Sequence, residues 1–318
     1  MSQAPTDSLR QAALLAARGE VHQLRPIYDA VRHRLPRHTQ YYCQLAFARA
    51  EGRTNDVVAL IDTLEQMYER KLDVRGLLAL AHERCEALRY QGQWAELASY
   101  AEGRLAWAKR RRIRVARQKY LKAYQELGMA HLQVPPVSVH WLSDDFVVPR
   151  LATDTVATIA VQVNGEALQP ALVTPFGRHT IVAASTLTRL GLEVQSLPTL
   201  PITTATGEEM MHAVRLDSLR IGDCVFRNLV VYAYDDSNVQ VDFPILIGLD
   251  ILRRLSTLSV QAQHLQVRRH LPFSPSPLRI VFSSGGWLMV SEGDKQLRAF
   301  ESADLFGREL DFEHLLLH

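Results

Sequence analysis

The chain has 318 residues, of which 47% are hydrophobic and 22% charged, with a formal net charge of +2. That is ordinary globular composition and enough for about two domains, and it excludes a global field that would drive nucleic-acid or membrane binding. Three cysteines, Cys43, Cys85 and Cys224, lack CxxC spacing, which argues against a zinc site and fits free buried thiols in a reducing, cytoplasmic setting. Residues 1–10 are polar, with no signal-peptide core, and no apolar run reaches the length of a membrane span.

Residues 8–128 carry a helical period and no convincing strand. Leu24, Ile27, Tyr28, Val31 and Leu35 fall on one face. The stripe returns as Val57, Ile61, Leu64 and Tyr68, and again as Trp94, Leu97, Ala98, Ala101, Leu105 and Ala108. A further helix is predicted through Ile113, Ala116, Tyr120, Ala123 and Leu127, making roughly seven. Arg18-Gly19-Glu20, Glu51-Gly52-Arg53 and Gln91-Gly92-Gln93 separate helices, with glycines 33 and 40 residues apart. That spacing is close to the tetratricopeptide period, and Gly92-Gln93-Trp94-Ala95-Glu96-Leu97 resembles the turn inside such repeats. The full consensus is absent, so the segment reads as a helical-hairpin solenoid, with a compact bundle as the alternative.

Residues 109–122 hold eight basic side chains and no acid. On one continuous helix Arg110, Arg114 and Arg117 would share a face, either simply solvated or able to contact phosphates or an acidic partner. No aromatic platform accompanies them, which argues against nucleic acid. Val134-Pro135-Pro136-Val137 cannot continue a helix and sets the predicted end of the helical domain at 133, with 134–152 as linker.

From Val156 the period changes to two. Residues 156–163 read as a strand, Asn164-Gly165 as a hairpin turn and 168–173 as the returning strand. Residues 225–234 and 244–247 are further apolar runs of strand length. The Pro272-Phe273-Ser274-Pro275-Ser276-Pro277 stretch opens a tail, 272–318, with a small hairpin around Ser283-Ser284-Gly285-Gly286.

The order of these signals resembles the single-lobe retropepsins, including the bacterial ones. In that pattern a hairpin (Val163-Asn164-Gly165) precedes an apolar strand (Ala171-Leu172-Val173) that runs into Asp-Thr/Ser-Gly-Ala. A strand (Thr180-Ile181-Val182) and a short helix ending in Leu190-Gly191-Leu192 follow, then a flap, Thr203-Thr204-Ala205-Thr206-Gly207-Glu208-Glu209-Met210. The closing Ile245-Leu246-Ile247-Gly248-Leu249-Asp250-Ile251-Leu252 is the most specific match. With the all-α helical-hairpin solenoid read from the period over 1–133, the expectation is an α+β multidomain chain whose second part, as the resemblance implies, is an all-β retropepsin-like barrel over 153–271. A generic β-sandwich or barrel is the alternative.

Where the resemblance implies Asp-Thr-Gly-Ala, this chain has Thr174-Pro175-Phe176-Gly177. In the family each lobe supplies one aspartate, and the pair shares a proton while activating water. A threonine hydroxyl has no accessible ionisation and cannot take that role. Pro175 lacks the bracing hydroxyl, and Phe176 fills the room left by glycine. The expectation is a pseudoprotease whose cleft, from Thr174, Pro175, Phe176, Arg178, His179, Thr206, Gly207 and Glu208, holds an extended peptide or a small ligand. His179 is the candidate acid or base if the cleft is instead a repurposed enzyme. A structural lobe that only pairs two helical arms is a third reading. No metal or cofactor is expected. Asp154, in Asp154-Thr155-Val156-Ala157, loosely resembles the catalytic motif but precedes the strand that should come first, and Asp250 is read as a helix cap. With one lobe per chain, the resemblance implies a homodimer that completes the cleft.

Overall fold

The computed structural model describes residues 21–50, 53–68, 72–151, 157–174, 178–194, 197–204, 207–237, 243–269, 278–282, 288–292, 298–299 and 309–311. The chain divides into two compact units, one of Met1–Ala87, Pro272–Glu301 and Glu313–His318, the other of Leu88–Leu271 and Ser302–Phe312.

The first unit holds α1 (Val21–Val31), α2 (Arg37–Ala50), α3 (Thr54–Tyr68) and most of α4 (Val74–Gln91). The predicted stripe Val57, Ile61 and Leu64 packs with Leu45, Ala48, Leu80 and Ala87 in a common core. At the edge of that core Arg84 pairs with Asp62, and Arg49 with Glu83 at 3.0 Å, tying α3 and α2 to α4. The predicted tail hairpin is present as Leu278–Phe282 paired antiparallel with Leu288–Glu292, its turn lying outside the described residues.

The second unit opens with the last turn of α4, then α5 (Trp94–Arg110), a 3-10 turn (Val115–Gln118) and α6 (Lys119–Ala130). Trp94, Leu97, Ala98, Ala101 and Ala108 of the predicted stripe are buried, joined by Trp107, and α6 buries Leu121, Ala123, Tyr124 and Leu127. The helix expected from Ile113 does not start there. The chain turns instead, with Arg112 N–H donating to the Lys109 carbonyl and Ile113 N–H to that of Ala108, each at 3.0 Å. Arg110, Arg114 and Arg117 therefore do not share a helix face.

The stretch predicted as linker forms two strands. β1 (Ser138–Trp141) and β2 (Asp145–Pro149) follow directly on Pro135-Pro136, and the compact unit holding them begins at Leu88 rather than after 133. α6 ends at Ala130, ahead of the prolines, and α5 and α6 lie in the same unit as the strands.

The sheet elements that follow are β3 (Thr158–Val163), β4 (Glu166–Val173), β5 (Ile181–Ala183), β6 (Thr199–Thr204), β7 (Gly207–Ile221), β8 (Cys224–Tyr234) and β9 (Ile245–Ile247), with α7 (Ala184–Arg189) and α8 (Leu249–Leu252) between them. They run β1-β8-β5-β9-β4-β3-β7-β6, and β8 also pairs with β7. That second pairing closes β8, β5, β9, β4, β3 and β7 into a barrel, which removes open edges around the ring. The alternation in β3 is as read: Ile159, Val161 and Val163 are buried while Ala160 and Gln162 are exposed. The Asn164-Gly165 turn has φ of 51° and 88°, the pairing of left-handed residues that matches strand twist in a two-residue hairpin. A second sheet is formed by β2, β10 (Thr257–Val260), β11 (His264–Arg268) and β12 (Glu309–Asp311).

Candidate functional site

The strands β4, β9 and β5 set the position of the segment that begins at Thr174. β4 runs parallel to β9, with Val173 opposite Ile247, and β5 lies antiparallel on the other side of β9, with Ile181 opposite Leu246. Thr174 therefore follows the end of β4 on one side of β9, and Arg178, His179 and Thr180 lead into β5 on the other. Thr174 is half-buried, its N–H donating to the Ile247 carbonyl at 3.0 Å. Pro175, Phe176 and Gly177 lie outside the described residues, as do Thr206 and Asp154.

The far end of that segment is clamped by the closing motif. Thr180 donates its hydroxyl to Asp250 Oδ1 at 2.7 Å and its N–H to Oδ2 at 3.0 Å. Gly248 N–H donates to the same Thr180 hydroxyl oxygen at 3.0 Å, and Asp250 N–H donates to the Arg178 carbonyl at 3.2 Å. A side chain at 248 would meet the His179 carbonyl group at 2.4 Å, so glycine is required by close backbone approach. Asp250 does not cap α8, whose N-cap is Gly248; it pins the loop. Burial raises its carboxyl above the ordinary range, opposed by the Thr180 bonds and by the Arg89 and Arg254 charges. A carboxylate bound this way is a brace, not a water activator.

His179 is buried, 8% exposed, with its ring edge-on to Tyr232 at 5.0 Å. Its Nδ1 lies 3.2 Å from Arg89 Nη2 at the end of α4. A guanidinium only donates, so Nδ1 accepts and neutral His179 carries its proton on Nε2. Its basic nitrogen is thus already engaged, which gives the acid–base reading no support. Arg254 donates to the Tyr90 carbonyl at 2.6 Å and stacks 4.1 Å over the Tyr90 ring. The segment predicted as a flap pairs as β6 with β7, Thr204 opposite Gly207. Next to its tip, exposed Glu208 accepts from both Lys119 and Tyr120 at the start of α6. His212, on the flap's return strand, is bonded through Nδ1 to the Leu197 carbonyl at 3.0 Å.

Of the predicted cleft residues, then, Thr174, Arg178 and His179 share the floor loop, and Gly207 and Glu208 the flap. Sequence reasoning missed Thr180, Arg89, Lys119 and Tyr120. Thr180 was legible only as a strand residue, and the other three lie some 88 to 90 residues away from their partners, beyond any local pattern. Among the described residues no group of three or more His, Cys, Asp or Glu is placed to hold a metal.

Residues 159–251 match the family model described as aspartyl protease. Over those residues the β part of the chain, a barrel preceded by helices, is thus similar to aspartyl protease domains. Among solved structures, the chain is similar to a retropepsin-like aspartic protease from Rickettsia conorii, with 20% identity, 42% of this chain and 93% of that one covered, and a TM-score of 0.33. It is also similar to the retroviral protease-like domain of Ddi1 from Leishmania major, at 13% identity, 48% and 99% coverage, and a TM-score of 0.25. No curated protein matches the chain. No helix among the described residues is long and apolar enough to cross a membrane.

Proposed function

We propose that the retropepsin-like domain binds without cleaving: a pseudoprotease holding an extended peptide or small ligand between the β6–β7 flap and the floor loop. The observation that carries this reading is Thr174, held by Ile247 at the head of the loop, where the family places its aspartate. No carboxylate occurs from Thr174 to Ala183, so the dyad that shares a proton and activates water cannot form there. Paired lobes would complete the cleft around a two-fold axis, and the N-terminal helices, read as tetratricopeptide-like, would offer a second protein-binding surface. The test is a peptide-library digest from pH 3 to 8, in which no cleavage is expected; cleavage abolished by pepstatin-type inhibitors contradicts the reading.

A second reading is favoured by the contacts of α4 and α6. Arg89 occupies the floor histidine, and Lys119 and Tyr120 hold the flap. In this reading the helices complete the half-cleft in cis, the chain is monomeric and the lobe is a structural platform. Light scattering on the full chain at micromolar concentration separates the two, a dimer supporting the paired cleft and a monomer the platform.

A further inference from the structure

We propose that residues 109–114, the end of α5 and the turn after it, form a docking surface for an acidic polypeptide segment. The inference goes beyond the cleft and holds whether or not the cleft is open. Lys109, Arg110, Arg111, Arg112 and Arg114 are all exposed, and among the described residues none of these five side chains has an ion-pair partner. Lys119 and Lys122, further along, behave differently, Lys119 pairing with Glu208 and Lys122 with Glu126. A helix dipole explains cations in the last turn of α5, which accounts for Lys109 and Arg110 only. Arg111, Arg112 and Arg114 lie beyond the helix.

The backbone supplies an independent sign, an arginine standing where a glycine would fit. Among the described residues, three helices end in the same paired-bond turn, with one residue in the left-handed conformation. After α4 that residue is Gly92, with φ of 71°, and after α7 it is Gly191, with φ of 74°. After α5 it is Arg112, with φ of 54°. Glycine takes this conformation at no steric cost and a residue with a Cβ does not. An arginine at such a position keeps a guanidinium at the centre of the cluster at the expense of local fit.

Carboxylates fit this surface better than a phosphate track. Guanidinium groups bind carboxylates bidentately, and the cluster is only about one helical turn long, with no exposed aromatic ring in it for bases to stack on. It also lies near the flap: the 3-10 turn from Val115 to Gln118 spans roughly 8 Å and delivers Lys119 to Glu208. Val115, 83% exposed, adds an apolar contact beside the charges. An acidic strand bound at 109–114 thus has a short path to the flap.

The test uses the full chain and fluorescence anisotropy with a labelled peptide of alternating Glu and Ser, alongside oligothymidylate of equal length. The peptide is expected to bind saturably and more tightly than the oligonucleotide. The variant carrying Arg110→Gln, Arg111→Gln, Arg112→Gln and Arg114→Gln is expected to weaken it by about tenfold, with an unchanged circular dichroism spectrum. Arg112→Gly, which suits the turn, is expected to melt no lower than the parent and still to bind more weakly. Undiminished peptide binding by the quadruple variant overturns the proposal, as does oligothymidylate binding as tightly as the peptide.

Discussion

Thr180 does more for the floor loop than its place in a short strand suggests. Its hydroxyl bridges Gly248 N–H and Asp250 Oδ1, so Thr180→Val leaves a partly buried carboxylate and a buried amide each one partner short. A loss of about 2–3 kcal/mol is expected in urea melts; an unchanged midpoint would show that Asp250 is braced from elsewhere. Arg112→Gly is expected to raise stability by about 1 kcal/mol, since glycine removes the Cβ penalty of the left-handed turn, and a lowered melting temperature would contradict this. The thiols carry a pH dependence. Burial pushes Cys43 up to about 11 and Cys224 up to about 12, against roughly 8.5 for an unfolded thiol. Both stay neutral in the folded chain at pH 8 and should resist thiol reagents until unfolded. The stability they confer is present in full below about pH 8.5 and is lost as pH rises toward their folded values. Rapid labelling of the native protein at pH 8 would contradict their burial.

At the scale of elements, the legible parts were those with short-range signals. The Asn164-Gly165 hairpin, the alternation of β3 and the Ile245–Ile247 strand before Gly248 could all be read from period and turn chemistry. β1 and β2 could not, because each is short and gains its pairing from far along the chain: β1 from β8 and β2 from β11. The same distance hid the place of α5 and α6. Pro135-Pro136 looks like a domain boundary in sequence, yet it joins a helix to a strand within one compact unit. Gly128 of α6 meets α5 so closely that a Cβ would fall 2.7 Å from the Ala98 nitrogen, and α6 in turn reaches the flap. A fragment of residues 134–318 is therefore expected to unfold at lower urea than one of residues 88–318, which keeps both helices. Equal midpoints would show that the strands need no helical support.

For the whole molecule, the fold class and the order of its parts were legible, and the site only in outline. The identity of residue 174 was plain in the sequence, but not that Arg89 and Glu208 would be engaged by partners within the chain. Those contacts bear on how the half-cleft is completed, whereas Thr174 bears on whether it can cut. The central claim, that this retropepsin-like domain binds without hydrolysing, is tested most directly by mass spectrometry of a peptide library incubated with the full chain from pH 3 to 8. The expected result is an unaltered library at every pH. New termini that vanish with a pepstatin-type inhibitor would contradict the account and return attention to Asp154 as a catalytic aspartate.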